Sequence, residues 1–122
     1  KALSEGSYTC FLEEDTKLPM MFMDDAIRAT LQIMEAPSEN IKERSAYNLA
    51  AMSFTPKEMA KNIKAVIPEF EMAYEPDFRQ EIANSWPSSI DDSSAQKDWN
   101  WKAEFDLEKT TETMLENLKN RV

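Results

Sequence analysis

The sequence predicts an α/β fold of short strands with four or five helices, formed by residues 1–122 as a single unit. Three observations predict it. Hydrophobic spacing switches between alternation, which marks a half-buried strand, and three-to-four spacing, which marks an amphipathic helix. Prolines and cap residues fall at the ends of the helical stretches. The order of elements is strand, strand, helix, strand, helix, strand and then helices, as in a layered sheet-and-helix domain.

Residues 8–12, Tyr-Thr-Cys-Phe-Leu, are β-branched and aromatic and read as the first strand. A polar turn at 13–17 leads to the apolar run 18–23, extended and buried, with Pro19 near its start or at a sheet edge. Asp24 is placed to cap a helix over 24–36, with Ile27, Leu31 and Met34 on the core face and Ile33 beside them. Residues 37–40 end that helix. Residues 45–50 read as the next strand, and Met52, Ser53 and Phe54 as a turn. Thr55, Pro56 and Glu58 stand at N-cap, N1 and N3 of a helix with Met59, Ile63, Val66 and Ile67 on its apolar side. That helix stops at Pro68, and residues 69–74 alternate as a half-exposed strand. Residues 77–86 read as a short helix or turn, and 91–94 as a cap before a turn of helix reaching Trp99. Asp106 caps the last helix, which points Leu107, Thr111, Met114, Leu115 and Leu118 at the core. The strands are short and leave edges, so the sheet reads as part of a larger one.

Composition narrows the function. Apolar residues make up 42% of the chain, with three Trp, six Phe and three Tyr, enough for a packed core. The net charge of −9 repels phosphate backbones and anionic lipid, so neither nucleic acid nor a membrane is an expected partner. No stretch is long and apolar enough to span a bilayer. The absence of histidine removes the usual general base and the commonest metal ligand. Cys10 is the only cysteine, so no internal disulfide and no cysteine-held zinc can form. No metal site is expected; Asp24, Asp25, Asp91 and Asp92 read as helix-terminal acids. Gly6 is the only glycine, and a phosphate cradle needs several, so the chain contains no dinucleotide-binding loop. Lys1 to Gly6 has no signal-peptide character and reads as the last turn of a helix, a start in mid-fold.

Three segments in order carry a resemblance. Met20-Met21-Phe22-Met23-Asp24-Asp25-Ala26-Ile27 looks like a strand-to-helix step written V-x-V-x-D-[DV]-[VA]-A. Tyr47-Asn48-Leu49-Ala50, with Thr55-Pro56-Lys57-Glu58 after it, looks like a Y-N-[VI]-G strand leading to a capped helix. Ile90-Asp91-Asp92-Ser93-Ser94-Ala95 through Trp101, then Asp106-Leu107-Glu108, looks like a D-x-S-K-A…L-G-W-x-P…S-L-E-E ending. Together they resemble the extended short-chain dehydrogenases and sugar-nucleotide epimerases. The stretch 77–93, Asp-Phe-Arg-Gln through Ser-Trp-Pro to Asp-Asp-Ser, is closer to the L-threonine 3-dehydrogenases of that superfamily than to any epimerase. Asn100, Ala103 and Gln96 depart from the pattern, standing where Gly, Pro and a basic residue are usual; Asn100 can still take the left-handed conformation.

The resemblance implies the C-terminal portion of an extended short-chain dehydrogenase with a Rossmann-like fold: the last part of an NAD-binding sheet plus the substrate lobe. The family's Gly-rich loop and Tyr-x-x-x-Lys pair do not occur here; Tyr8, Tyr47 and Tyr74 are followed four residues later by Leu12, Ala51 and Phe78. No catalytic or cofactor-binding residue is therefore assigned, and NAD is expected only for a parent enzyme. The implied substrate is L-threonine, the implied assembly a homodimer, and the implied location, from animal relatives, the mitochondrion. Candidate substrate-binding residues are Leu18, Pro19, Met20, Arg79 and Trp86. Leu18 stands where sugar-nucleotide enzymes carry a diphosphate-binding Arg, or is ordinary edge-strand packing. Trp86 closes over a small substrate, or is a core anchor. Arg79 pairs with a substrate carboxylate, or with Asp77 or Glu75 at the surface. The rival reading is a truncated, inactive remnant that lacks cofactor binding; a weaker one is a related enzyme acting on another small substrate.

Overall fold

Two separate pairs of strands organise the chain in the computed structural model, which describes residues 1–119. A one-turn helix α1 (Ala2–Glu5) ends at Gly6, whose φ of 68° turns the chain into β1 (Ser7–Cys10). β1 lies parallel to β4 (Glu71–Tyr74), with Ser7 opposite Glu71 and Cys10 opposite Tyr74. β2 (Leu18–Met20) runs antiparallel to β3 (Met52–Phe54), with Leu18 opposite Phe54. Pro19 sits on this two-stranded pair, where an absent N–H is tolerated.

Between the strands come α2 (Met23–Glu35), a 3₁₀ turn at Ser38–Asn40, and α3 (Pro56–Val66); α4 (Arg79–Asn84), α5 (Ser93–Trp99) and α6 (Leu107–Lys119) follow β4. Among the described residues there are six α-helices, of which α1 and α4 are short pieces. α3 begins as the sequence predicts. The Thr55 hydroxyl accepts the Glu58 amide at 3.2 Å, and the Glu58 carboxylate accepts the Thr55 amide at 2.9 Å. The Asp106 carboxylate accepts the Lys109 amide at 2.9 Å at the start of α6. Asn100 closes α5 in the left-handed conformation, φ 58°.

Three expectations are corrected. Asp24 does not cap α2; the extended Phe22 precedes it with no side-chain cap, and the Phe22 ring instead stacks on Phe105 with centroids 4.4 Å apart. Residues 45–50 form no strand, and the pairing segment is the one read as a turn, Met52–Phe54. At Ala50 side chains take the place of a neighbouring strand, and Tyr47 is held by its hydroxyl. The Ala50 amide donates to Asp92, its carbonyl accepts the Trp101 indole at 3.0 Å, and the Tyr47 hydroxyl donates to Asp98 at 2.8 Å. Finally, Ile27, Leu31 and Met34 of α2 face solvent, while Asp25, Ala29 and the half-buried Ile33 face inward. Met114 and Leu118 of α6 are likewise exposed, with Thr111 and Leu115 buried.

The core is split. One cluster joins Cys10, Leu12, Leu18 and Ala83 beneath Phe11, Met72 and Tyr74, holding the parallel pair to α4. A second joins Ala29, Ala95, Trp99 and Trp101, with Tyr47 edge-on to Trp99, and holds α2 to α5. α3 packs on α6 and β4, and α1 on β1 and α6.

Candidate functional site

Parallel strands in open α/β sheets place ligands outside their carboxyl ends. Here those ends are Cys10 and Tyr74, and the pairing runs past them: Glu75 donates to the Cys10 carbonyl at 2.8 Å and Asp77 to the Phe11 carbonyl at 3.2 Å. The two chains then diverge into the loop 11–17 and helix α4.

Gln80 ties these together. Its side chain is buried, its carbonyl oxygen accepts the Glu13 amide at 2.8 Å, and its amide donates to Thr16 Oγ1 at 2.9 Å and Asn84 Oδ1 at 2.7 Å. A buried amide so satisfied fixes the polar stretch 13–17 of this loop, beyond its apolar anchors Phe11 and Leu12. Beside it lies an open polar groove of about 310 Å³, lined by Thr16, Lys17, Gln80, Asn84, Trp86 and Ser88 among others.

Trp86 borders this groove with 56% of its surface exposed, so its ring is not a core anchor here. Arg79 is occupied. Its Nε donates to Asp77 Oδ1 at 3.0 Å and its Nη2 to Oδ2 at 2.6 Å, and the guanidinium carbon lies 3.4 Å from the Phe11 ring centre. This fork holds the Asp77 carboxyl below its ordinary range and raises the Arg79 guanidinium above its own. Leu18 is buried among Cys10, Leu12 and Ala83, so its side chain packs rather than lines the groove. Pro19 is half-buried and Met20 exposed, one and two positions further along β2.

Sequence reasoning missed Gln80, Thr16 and Asn84. The spacing of Gln80, Ala83 and Asn84 puts them on one helical face, but the inward face of α4 is polar, and Phe78 and Ile82 turn outward. It also underread Asp25, which is completely buried. The Asp25 carboxylate accepts the amides of Glu104 and Phe105 at 3.1 and 3.0 Å, and Arg28 Nη2 at 2.7 Å. The same Nη2 reaches the Lys102 carbonyl at 2.6 Å, and the guanidinium lies over Trp101. Burial pushes the Asp25 carboxyl up, but Arg28 and the two amides outweigh it and leave it below its ordinary value. This is a structural clamp, with no open face toward a ligand.

The described residues do not fit a dinucleotide. Gly6 follows a single helical turn and has no second glycine near it, so no nest of amides forms there. Among the described residues no group of three acidic, histidine or cysteine side chains is placed to hold a metal, and no helix is long and apolar enough to cross a membrane.

No known family profile matches the chain. Individual proteins do. The L-threonine dehydrogenase of Phytophthora infestans is 50% identical and superposes with a TM-score of 0.96, over 99% of this chain and 39% of that one. A structure described as a GalE-like L-threonine dehydrogenase from Cupriavidus necator is 54% identical, TM-score 0.92, over 96% of this chain and 42% of that one. The bovine protein named mitochondrial L-threonine 3-dehydrogenase is 50% identical over 116 residues, 94% of this chain and 31% of that protein. The chain thus has the fold of part of an extended short-chain dehydrogenase or epimerase. More narrowly, it is a homologue of L-threonine 3-dehydrogenase. It spans between three tenths and just over two fifths of the length of these relatives.

Proposed function

We propose that this chain forms the substrate side of an NAD-dependent L-threonine 3-dehydrogenase, corresponding to the C-terminal part of that enzyme. The observation that carries this reading is the groove at the carboxyl ends of β1 and β4. It combines an exposed indole, a fixed amide network and a lysine, with Glu13 and Asp15 also on its wall, in a chain half identical to enzymes of that name. L-Threonine presents a carboxylate, an ammonium and a hydroxyl within a few ångströms. Lys17 supplies a cation for the carboxylate, and Thr16 and Asn84 supply oxygens for the ammonium. Trp86 closes over the methyl group and excludes water. Arg79 joins the carboxylate by exchanging Asp77 for it, and Leu18, packed in the core, holds β2 so that Pro19 and Met20 lie toward the bound substrate. Oxidation of the 3-hydroxyl to give 2-amino-3-oxobutyrate, with NAD as acceptor, needs a glycine-rich loop and a Tyr-x-x-x-Lys pair that these 122 residues do not contain. The homodimer and the mitochondrial location remain part of the proposal, the second resting on the name of the bovine relative.

The test is kinetic. With this chain grafted in place of the matching part of the Phytophthora enzyme, Trp86→Ala and Arg79→Ala raise the Michaelis constant for threonine by about tenfold or more, with a smaller effect on turnover. Unchanged saturation in both variants sinks the pocket assignment. A second reading, an inactive remnant, is favoured by the single glycine. Intact mass of the protein captured from its source decides between them. A polypeptide with the glycine-rich loop supports the enzyme, and one that begins near Lys1 supports the remnant.

A further inference from the structure

The orientation of the buried Gln80 amide is forced by its partners. The Glu13 backbone amide can only donate, so the Gln80 atom 2.8 Å from it is the carbonyl oxygen. The other end of the side chain is then the amide nitrogen, and both of its hydrogens are spent. One goes to Thr16 Oγ1 at 2.9 Å and one to Asn84 Oδ1 at 2.7 Å. An amide N–H meets only an acceptor, so Asn84 turns its oxygen, not its nitrogen, to this point. The Thr16 hydroxyl spends its own hydrogen on the Gln80 oxygen at 3.2 Å. Two oxygens are thus held on either side of one nitrogen, each with a lone pair left over. Thr16 is half-buried and Asn84 exposed, and both line the groove.

We propose that Gln80 is the positioning residue of an ammonium subsite, holding Thr16 Oγ1 and Asn84 Oδ1 at the separation that one primary ammonium bridges. The inference rests on the groove being the threonine site. The hydrogens of a planar amide diverge by about 120°, so oxygens at these two distances stand roughly 5 Å apart. An ammonium that donates to two oxygens at ordinary length spans nearly the same gap, because its hydrogens diverge by about 109°. Gln80 therefore sets out, before any ligand arrives, the pair of acceptors that a protonated amine needs. The surrounding charge agrees. Glu13 and Asp15 line the groove against the one lysine there, Lys17, and Lys57, 4.0 Å from Asp15, offsets only part of their field. The groove thus selects acids that carry a nitrogen beside the carboxylate over the same acids without it. With both amide hydrogens spent, Gln80 acts on the substrate only through Thr16 and Asn84.

The experiment uses the chimera in which this chain replaces the matching part of the Phytophthora enzyme, with threonine as substrate. Two competing acids, L-2-aminobutyrate and butyrate, differ only in the amine, so the ratio of their inhibition constants isolates the ammonium. In the parent chimera aminobutyrate inhibits about tenfold or more tightly than butyrate, as a charge-assisted hydrogen-bonded group should. Gln80→Met keeps the length of the side chain but has no hydrogens to give. It lowers the preference for aminobutyrate about tenfold and raises the Michaelis constant for threonine more than it lowers turnover. A Gln80→Met chimera that binds both inhibitors equally more weakly overturns the inference, since a loosened loop harms both alike. An unchanged preference, or a parent chimera with none, overturns it too. If Gln80→Met does not fold, Thr16→Val, which keeps the shape and removes one oxygen, lowers the preference instead, and an unchanged preference there is equally fatal. Trp86→Ala separates this inference from the reading beneath it. If that change leaves threonine saturation unaltered, the groove is not the substrate site and both fall. If it raises the Michaelis constant while Gln80→Met spares the preference, only the ammonium subsite falls.

Discussion

The Asp25 carboxylate accepts the backbone amide of Phe105 at 3.0 Å, joining α2 to the loop before α6 across 80 positions of sequence. Because that carboxylate is completely buried, the loop's geometry depends on one charge. Asp25→Ala leaves Arg28 and two amides without their partner, and costs about 3 kcal/mol in urea unfolding. Asp25→Asn keeps the shape but cannot serve both amides and Arg28, and costs less.

The same carboxyl sets a pH dependence. Its folded value lies below that of the unfolded chain, for which 3.8 is the ordinary figure. A depressed carboxyl contributes its full stabilisation above the unfolded value and loses it as pH falls through the folded one. The stability gap between the parent chain and Asp25→Asn therefore stays constant from pH 7 to about 5 and shrinks below about 4. Melting curves recorded down to pH 2.5 check this. A gap that widens on acidification would show that the charge does not stabilise the clamp.

Gln80 gives a prediction about mobility. Gln80→Leu removes the partners of the Glu13 amide and of Thr16, and costs about 2 kcal/mol. Hydrogen exchange at the Glu13 amide then speeds up about tenfold or more, while amides in α3 keep their protection.

Helix ends give two smaller effects of opposite sign. Thr55→Ala breaks the capping box and lowers stability by about 1 kcal/mol. Asn100→Gly relieves the left-handed residue at the end of α5 and is neutral or stabilising by a few tenths of a kcal/mol, whereas Asn100→Val costs about 1–2 kcal/mol. Paired denaturation curves measure both.

Much of this was legible because it is local. The capping box at Thr55 and Glu58, the alternation of β4 and the left-handed turn at Asn100 each depend on residues within a few positions of one another. Of the candidate residues, Trp86 stands open at the groove, while Arg79 is taken up by Asp77 and Leu18 by packing. What escaped depends on distance. Asp25 looks like an ordinary acid at a helix start, because its partners lie at 104 and 105. Residues 45–50 look like a strand, because their extended backbone is genuine. Only the side chains of Asp92 and Trp101, more than forty positions on, take up the two backbone groups of Ala50 that a neighbouring strand would otherwise use. The stripe of Ile27, Leu31 and Met34 on α2 has the helical period the sequence shows, but periodicity alone does not reveal that Asp25 and Ala29, and not the stripe, face the core.

The parallel pairing of β1 with β4 also sets an order of events. Ser7 meets Glu71, so the first strand has no ladder partner until more than sixty further residues exist. At about 5–20 residues per second, a ribosome takes roughly 3–13 s to supply them. By then β2 and β3, only some thirty positions apart, and the capped helix α3 are already complete. The sheet end that carries the groove thus closes after the β2–β3 pair and α3 in a nascent chain, and Cys10, Phe11 and Leu12 are without their β4 neighbours for that interval.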